Sequence, residues 1–160
     1  MMDMIRNTDW TADQAMKTAQ LMLDPKTNGG VDVQALLGQQ SAAPLPLPIV
    51  TEMLAHFVKV HPLPLCLVED GERLLQISAD PYDPNGRADL HFSARGFTAE
   101  EVRPHLAAFM EQYPAKHWVA IGRKGLWRLI CQPLGFELME MLSLSFWATK
   151  DTTVSGKVVH

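Results

Sequence analysis

The chain is short of cysteine, of basic charge and of long apolar runs, and each shortage removes a class of function. Its two cysteines, Cys66 and Cys131, sit among apolar neighbours in a sequence of 160 residues, so buried reduced thiols are expected and a disulfide framework is not. Neither thiol lies in a zinc-type spacing or beside a glycine-rich elbow, which argues against a metal site and against a Cys-His nucleophile. His56 and His61 are five residues apart, on different faces of a helix, and make poor ligand geometry. Lys and Arg number 14 against 18 Asp and Glu, a formal charge of −4. A nucleic-acid backbone is therefore not the expected partner, since that binding rests on many cations neutralising phosphates. No apolar run reaches the ~18 residues of a membrane span, and the first residues lack the zones of a secretory signal. A soluble cytoplasmic protein with no membrane span is expected.

What is present is enough for one core. With 47% hydrophobic residues, residues 1–147 are expected to form a single domain, followed by a polar tail over 148–160. Met2 to Ile5 reads as a short strand. Thr11 and Gln14 form a capping box, and Ala12, Ala15, Met16, Ala19, Met22 and Leu23 then recur at helical spacing until Asp24 and Pro25 stop them. Asp32 to Gln39 is a short second helix by the same spacing. Ser41 to Pro48 carries three prolines and is expected to be a stiff connector. Val50, Met53, Leu54, Phe57 and Val58 mark a third helical stripe from Pro48 to Val60.

Leu63 to Glu69 and Glu72 to Ala79 flank Asp70 and Gly71, which read as a two-residue hairpin turn. Asp83 to Gly86 is another turn, and Ala88 to Ala94 a third antiparallel strand, with Leu90 and Phe92 alternating against Asp89 and His91. Thr98 and Glu101 form a second capping box ahead of a helix carrying Val102, Leu106, Phe109, Met110 and Tyr113. Pro104 is expected to kink its first turns. A strand over His117 to Gly122, a helical stretch over Leu126 to Gln132, and one or two strands from Phe136 to Trp147 complete the order. Trp118, Trp127, Phe136, Phe146 and Trp147 crowd the last third, the usual mark of aromatic core burial.

A short strand, helices, three antiparallel strands, a helix, a strand, a short helix ending in Leu134, Gly135 and Phe136, and terminal strands: this order resembles that of the GNAT superfamily of acyl-CoA N-acyltransferases, over about residues 2 to 147. The resemblance implies an α+β fold with a mixed, mostly antiparallel central sheet flanked by helices. It also implies acetyl-CoA as cofactor, an unidentified amine as acceptor, and a coenzyme held between the fourth strand and the following helix. On this pattern the coenzyme-contacting residues are Phe92, Ser93, Ala94, Arg95, Gly96, Phe97 and Thr98, with the helix N-terminus facing the pyrophosphate. Asp89 and His91 share one face of that strand, where a catalytic base of the family commonly lies; the plainer reading of the pair is a solvated strand face.

The sequence departs from the family pattern in two regions, the loop after Arg95 and the helix before Leu134. Laid on from Arg95, the signature glycine positions fall on Thr98 and Glu100, so the backbone loses the close approach that glycine gives. Glu100 and Glu101 favour their own helix but repel a diphosphate, each like-charge pair about 6 Å apart costing on the order of 1 kcal/mol. Cys131 takes the position of the family's Tyr general acid, and Lys124 that of a helper Asn, while Pro133 shortens the helix between. Arg123, Lys124 and Arg128 form a small basic group, read as a solvated face with an adenosine phosphate as the alternative ligand. Two functions therefore stay open: acetyl transfer to an amine through an eroded coenzyme loop, or a non-catalytic protein that keeps the fold and binds no cofactor. The second is similar to small GNAT-like proteins of tailed phages, and implies a protein partner or homo-oligomer, in host cytoplasm or virion. Its contacts would be the aromatic terminal strands and the methionines of the first helix.

Overall fold

Two reciprocal capping boxes start two of the helices. In α1 (Ala12–Leu23) the Thr11 hydroxyl accepts from the Gln14 amide at 3.1 Å and Gln14 Oε1 accepts from Thr11 N–H at 2.9 Å. In α3 (Ala99–Gln112) Thr98 and Glu101 do the same at 3.3 and 3.1 Å. Each box satisfies two backbone donors that a helix start otherwise leaves open. The computed structural model describes residues 3–28, 45–83, 86–113, 115–122, 127–140 and 145–149. The helix expected over 32–39, the first half of the proline connector (41–44), Arg123 and Lys124, and the tail from 150 onward lie outside the described residues.

Between α1 and α3 come α2 (Leu47–Val60) and the strands β2 (Leu65–Asp70), β3 (Arg73–Asp83) and β4 (Arg87–Arg95). A short β1 (Ile5–Arg6) precedes α1, and β5 (His117–Gly122), β6 (Phe136–Glu140) and β7 (Ser145–Thr149) follow α3. The seven strands form one sheet in the order β1-β2-β3-β4-β5-β7-β6. Every neighbouring pair is antiparallel except β4 with β5. The segment from Phe136 thus makes two strands, and β7 runs to Thr149, two residues past the expected domain end at 147. No helix among the described residues is long and apolar enough to cross a membrane.

The β2–β3 turn sits one residue later than the expected Asp70-Gly71. Asp70 pairs with Arg73, leaving Gly71 and Glu72 as the loop, with Gly71 at φ +62°. Asp70 stays in the ladder because its carboxylate meets the Arg73 guanidinium across the last rung. Glycine then takes the left-handed position that a tight hairpin demands.

Strand alternation builds two cores, one on each face of the sheet. On one face Cys66, Val68, Leu75, Ile77, Ala79, Ala88 and Leu90 pack under Val102, Leu106 and Phe109 of α3. On the other, Leu65, Leu67 and Leu74 pack under Trp10, Ala15, Ala19 and Leu21, with Ala55 and Val58 of α2. Asn7, fully buried, fixes the far end of α2 by donating from Nδ2 to the Val58 and His61 carbonyls at 2.8 and 2.9 Å. Lys17 reaches Glu69 at 3.2 Å and so ties α1 to β2. Met16 and Met22 of α1 are partly buried against the second core. Trp118 and Phe136 are buried, as their size predicts.

Pro104 lies within α3, which continues from Ala99 to Gln112. The stretch before Leu134 is not an ordinary helix. Trp127–Cys131 forms a π-helical turn and Gln132–Leu134 a 3₁₀ turn, closed by Gly135 at φ +91°. Pro133 has no N–H to give the Leu129 carbonyl four residues back. Arg103 of α3 supplies the missing donor, Nη1 to that carbonyl at 3.1 Å.

Candidate functional site

The β4–β5 pair is where the sheet opens. The parallel register runs over Arg87 with His117, Ala88 with Trp118 and Asp89 with Val119, although β4 continues to Arg95 and β5 to Gly122. Among the described residues no pairing follows Asp89, so the strands part there and a wedge-shaped cleft opens toward the start of α3. Residues of β4 with the parity of Ala88 turn their amides to that opening, because the alternate residues bond to β3. Phe92 and Ala94 have that parity.

At the narrow end of the wedge stand three ionisable groups on the face covered by α1 and α2. Asp80 of β3 lies directly across from Asp89 of β4, and Ser78 directly across from His91. His91 Nε2 is 3.5 Å from Asp80 Oδ2. Asp89 is half-buried, and loss of water pushes its carboxyl above the usual carboxylate range. The His91 charge counters this, and the facing Asp80 adds to it. A carboxylate held near a second carboxylate, with its proton affinity raised, has the character of a general base. Asp80 is the residue that sequence reasoning missed. The signal was present in the alternation Gln76, Ser78, Asp80, but its partner on β4 became readable only with the register. Next along this face, Gln76, Ser78 and Ser93 are buried, whereas His91 is exposed.

At the wide end, Arg95, Gly96, Phe97 and Thr98 lead straight into α3. Gly96 has φ +81°, and a Cβ there would fall 2.8 Å from Arg73 Cγ. Arg73 spans the loop: its guanidinium lies 4.6 Å from the Phe97 ring centre and pairs with both Asp70 and Glu101. Contact with Arg73, helped by Thr98, holds the Glu101 carboxyl down at about 2. Arg95 faces Asp24 at 3.8 Å, and Ala94 N–H donates to the Thr27 carbonyl at 2.7 Å.

Cys131 is not part of this arrangement. It is buried in the core under α3, with Ala88 and Leu90, on the β4 face opposite Asp89 and His91. Burial pushes its thiol up to about 12, so it is a poor proton donor at neutral pH. The structure thus brings Asp89 and His91 together with Asp80 at one end of the cleft and Phe92 to Thr98 along its edge, and leaves Cys131 apart.

No protein-family model matches the chain, and no curated protein matches its sequence. Solved structures do match in three dimensions. The GNAT domain of S. lividans PAT superposes with a TM-score of 0.53 at 11% identity, covering 91% of this chain and 88% of that one. A structure provisionally named phosphinothricin N-acetyltransferase gives 0.51 at 10% identity over 92% and 94% of the two chains. Mycobacterium smegmatis RimJ, in complex with CoA-disulfide, gives 0.50 at 12% identity over 91% and 84%. The chain is similar to these in fold: an α+β GNAT fold with a mostly antiparallel sheet flanked by helices.

Proposed function

We propose that the chain is an N-acyltransferase that takes an acyl thioester of the coenzyme A class into the β4–β5 cleft and passes the acyl group to an amine. The observation that supports this reading is the parting of the two parallel strands after Asp89, which leaves backbone amides free to pair with an amide-bearing ligand. In the reaction the amine nitrogen attacks the thioester carbonyl, the C–N bond forms and the C–S bond breaks. Asp89, directly or through a water, accepts the proton the amine gives up, with Asp80 and His91 as its neighbours. The departing thiolate takes its proton from solvent, because Cys131 is buried on the other face. The β4 edge from Asp89 to Phe92 takes the acyl end of the donor, Ala94 to Thr98 lie beyond it toward the start of α3, and acetyl-CoA is the donor to test first.

Saturating acetyl-CoA at a hundredfold excess over its dissociation constant should stabilise the protein by about 2.7 kcal/mol, a rise of roughly 5–10 °C in melting temperature for a chain of this size. A melting curve unmoved by millimolar acetyl-CoA would retire the proposal.

A second reading, a non-catalytic interaction protein, is favoured by one surface. Ile49, Met53, Phe57 and Val60 of α2 are 46%, 59%, 55% and 62% exposed and recur at helical spacing, an apolar stripe facing outward. The occupant that suits it is a second copy of the chain. In an antiparallel pair of α2 helices, Glu52 of one copy falls beside Lys59 of the other, whereas a parallel pair sets like charges together. Sedimentation of wild type and Phe57→Glu separates the cases: a dimer broken by the substitution supports this reading, and a wild-type monomer at high concentration ends it.

A further inference from the structure

We infer that the outer half of the cleft is occupied by the chain itself, so that the site selects a short acyl-thioester donor of the cysteamine or pantetheine class and leaves the nucleotide of a CoA donor unread. This rests on the proposed acyl transfer and adds which part of the donor is recognised. Two independent features carry it.

The first is a strap formed by the turn after α1. The Thr27 carbonyl takes the Ala94 N–H at 2.7 Å, and this amide points to the side where β5 has left. The strap therefore occupies the position on the β4 edge that an amide of a bound donor would use. It is well anchored: Thr27 Oγ1 donates to the Leu21 carbonyl at 2.6 Å, Asn28 Nδ2 to the Met22 carbonyl at 2.8 Å, and Lys26 N–H to Asp24 Oδ1 at 2.9 Å. Asp24 in turn faces Arg95, the last residue of β4, at 3.8 Å. From Asp89 to Phe92 the remaining edge spans about 10 Å at ~3.3 Å per residue. That is room for one amide next to a thioester, not for a pantetheine arm running on to a diphosphate.

The second feature is the start of α3, which would face such a diphosphate. Two of its open donors are already used, since Thr98 Oγ1 accepts from Glu101 N–H at 3.3 Å and Glu101 Oε1 accepts from Thr98 N–H at 3.1 Å. Glu100 and Glu101 place two carboxylates in the first turn, against the positive end of the helix dipole that an anion would otherwise seek. Both nearby guanidinium groups are paired, Arg73 with Asp70 and Glu101, and Arg95 with Asp24. A diphosphate arriving there meets carboxylates and no uncommitted donor among these groups.

The test is calorimetric titration of the full chain with acetyl-CoA, S-acetyl-pantetheine and S-acetyl-N-acetylcysteamine. The expected result is three dissociation constants within about threefold of one another, with the acetyl-CoA value nearly independent of salt. Acetyl-CoA binding about tenfold or more tightly than S-acetyl-pantetheine overturns the inference and leaves acyl transfer standing. Failure of all three to bind overturns both. The strap is tested separately with Asp24→Asn/Thr27→Val and, in case that chain does not fold, Thr27→Val alone. Hydrogen exchange at the Ala94 amide should accelerate about tenfold or more, and affinity for the two longer donors should rise relative to the cysteamine thioester. An Ala94 amide freed with no change in that ranking refutes the strap's role.

Discussion

Replacing Asp89 by Asn should make the protein more stable at neutral pH while removing the proposed base. Asp89 lies directly opposite Asp80 in the β3–β4 register, a geometry that sets cross-strand side chains about 5 Å apart. Two negative charges at about 5 Å, in surroundings midway between protein surface and bulk water, repel by roughly 1 kcal/mol. Salt screens part of this. Burial of the Asp89 carboxyl works in the same direction as the repulsion. The net relief in Asp89→Asn is about 0.5–1 kcal/mol, or roughly 1–4 °C in melting temperature. The pH dependence has a definite sign. Because folding raises this pKa, wild type carries no penalty below the unfolded value of about 3.9 and acquires it as pH climbs through the folded value. Melting curves at pH 4 and pH 7.5 should therefore show the variant gaining on wild type only at the higher pH. Asp80→Asn should give a similar gain, and the double variant less than the sum, since either change alone relieves the same repulsion. A loss of about 1 kcal/mol or more in Asp89→Asn at pH 7.5 would show that Asp89 serves as a structural partner, and the assignment of a base there would fall.

Other outcomes follow from single contacts. Leu106, fully buried between α3 and the sheet, should cost about 2–5 kcal/mol as Leu106→Ala, read from urea unfolding; a loss below ~1 kcal/mol would mean that the core under α3 is loose. Thr98→Ala removes the hydroxyl that caps Glu101 N–H and should cost about 1 kcal/mol, with circular dichroism at fixed urea as the check. His105 is buried beside Phe97, and its Nδ1 has no hydrogen-bond partner among the described residues. Burial lowers its pKa, so its contribution is complete above the unfolded value of about 6.5 and declines as pH falls below it, by no more than about 1.4 kcal/mol per pH unit. The stability of wild type relative to His105→Gln should accordingly fall between pH 7 and pH 5; a difference that does not change with pH contradicts a neutral buried imidazole.

Local chemistry was legible wherever it acts over a few residues. Thr11 with Gln14 and Thr98 with Glu101 announced two helix starts because a cap needs only a hydroxyl and a side-chain acceptor three residues apart. The β2–β3 hairpin was readable from Gly71, but its register was set by the Asp70–Arg73 pair, and the turn shifted by one residue accordingly. Pro133 signalled a broken helix. That the break becomes a π-helical turn rests on Arg103, which reaches the Leu129 carbonyl from another element. Asp89 and His91 could be placed on one face from alternation alone, whereas Asp80 joined them only through strand pairing.

The amino-acid order by itself determined the helix starts, the alternation that gives the sheet two apolar faces, and the succession of elements, since each depends on neighbours within a turn or a pleat. Tertiary structure decided where β4 and β5 separate, which face of β4 lies under α1, and that Thr27 bonds to Ala94 from 67 residues away. These depend on how whole elements meet across the sheet, and nothing in a local window fixes the distance between two strands or the partner of an edge amide.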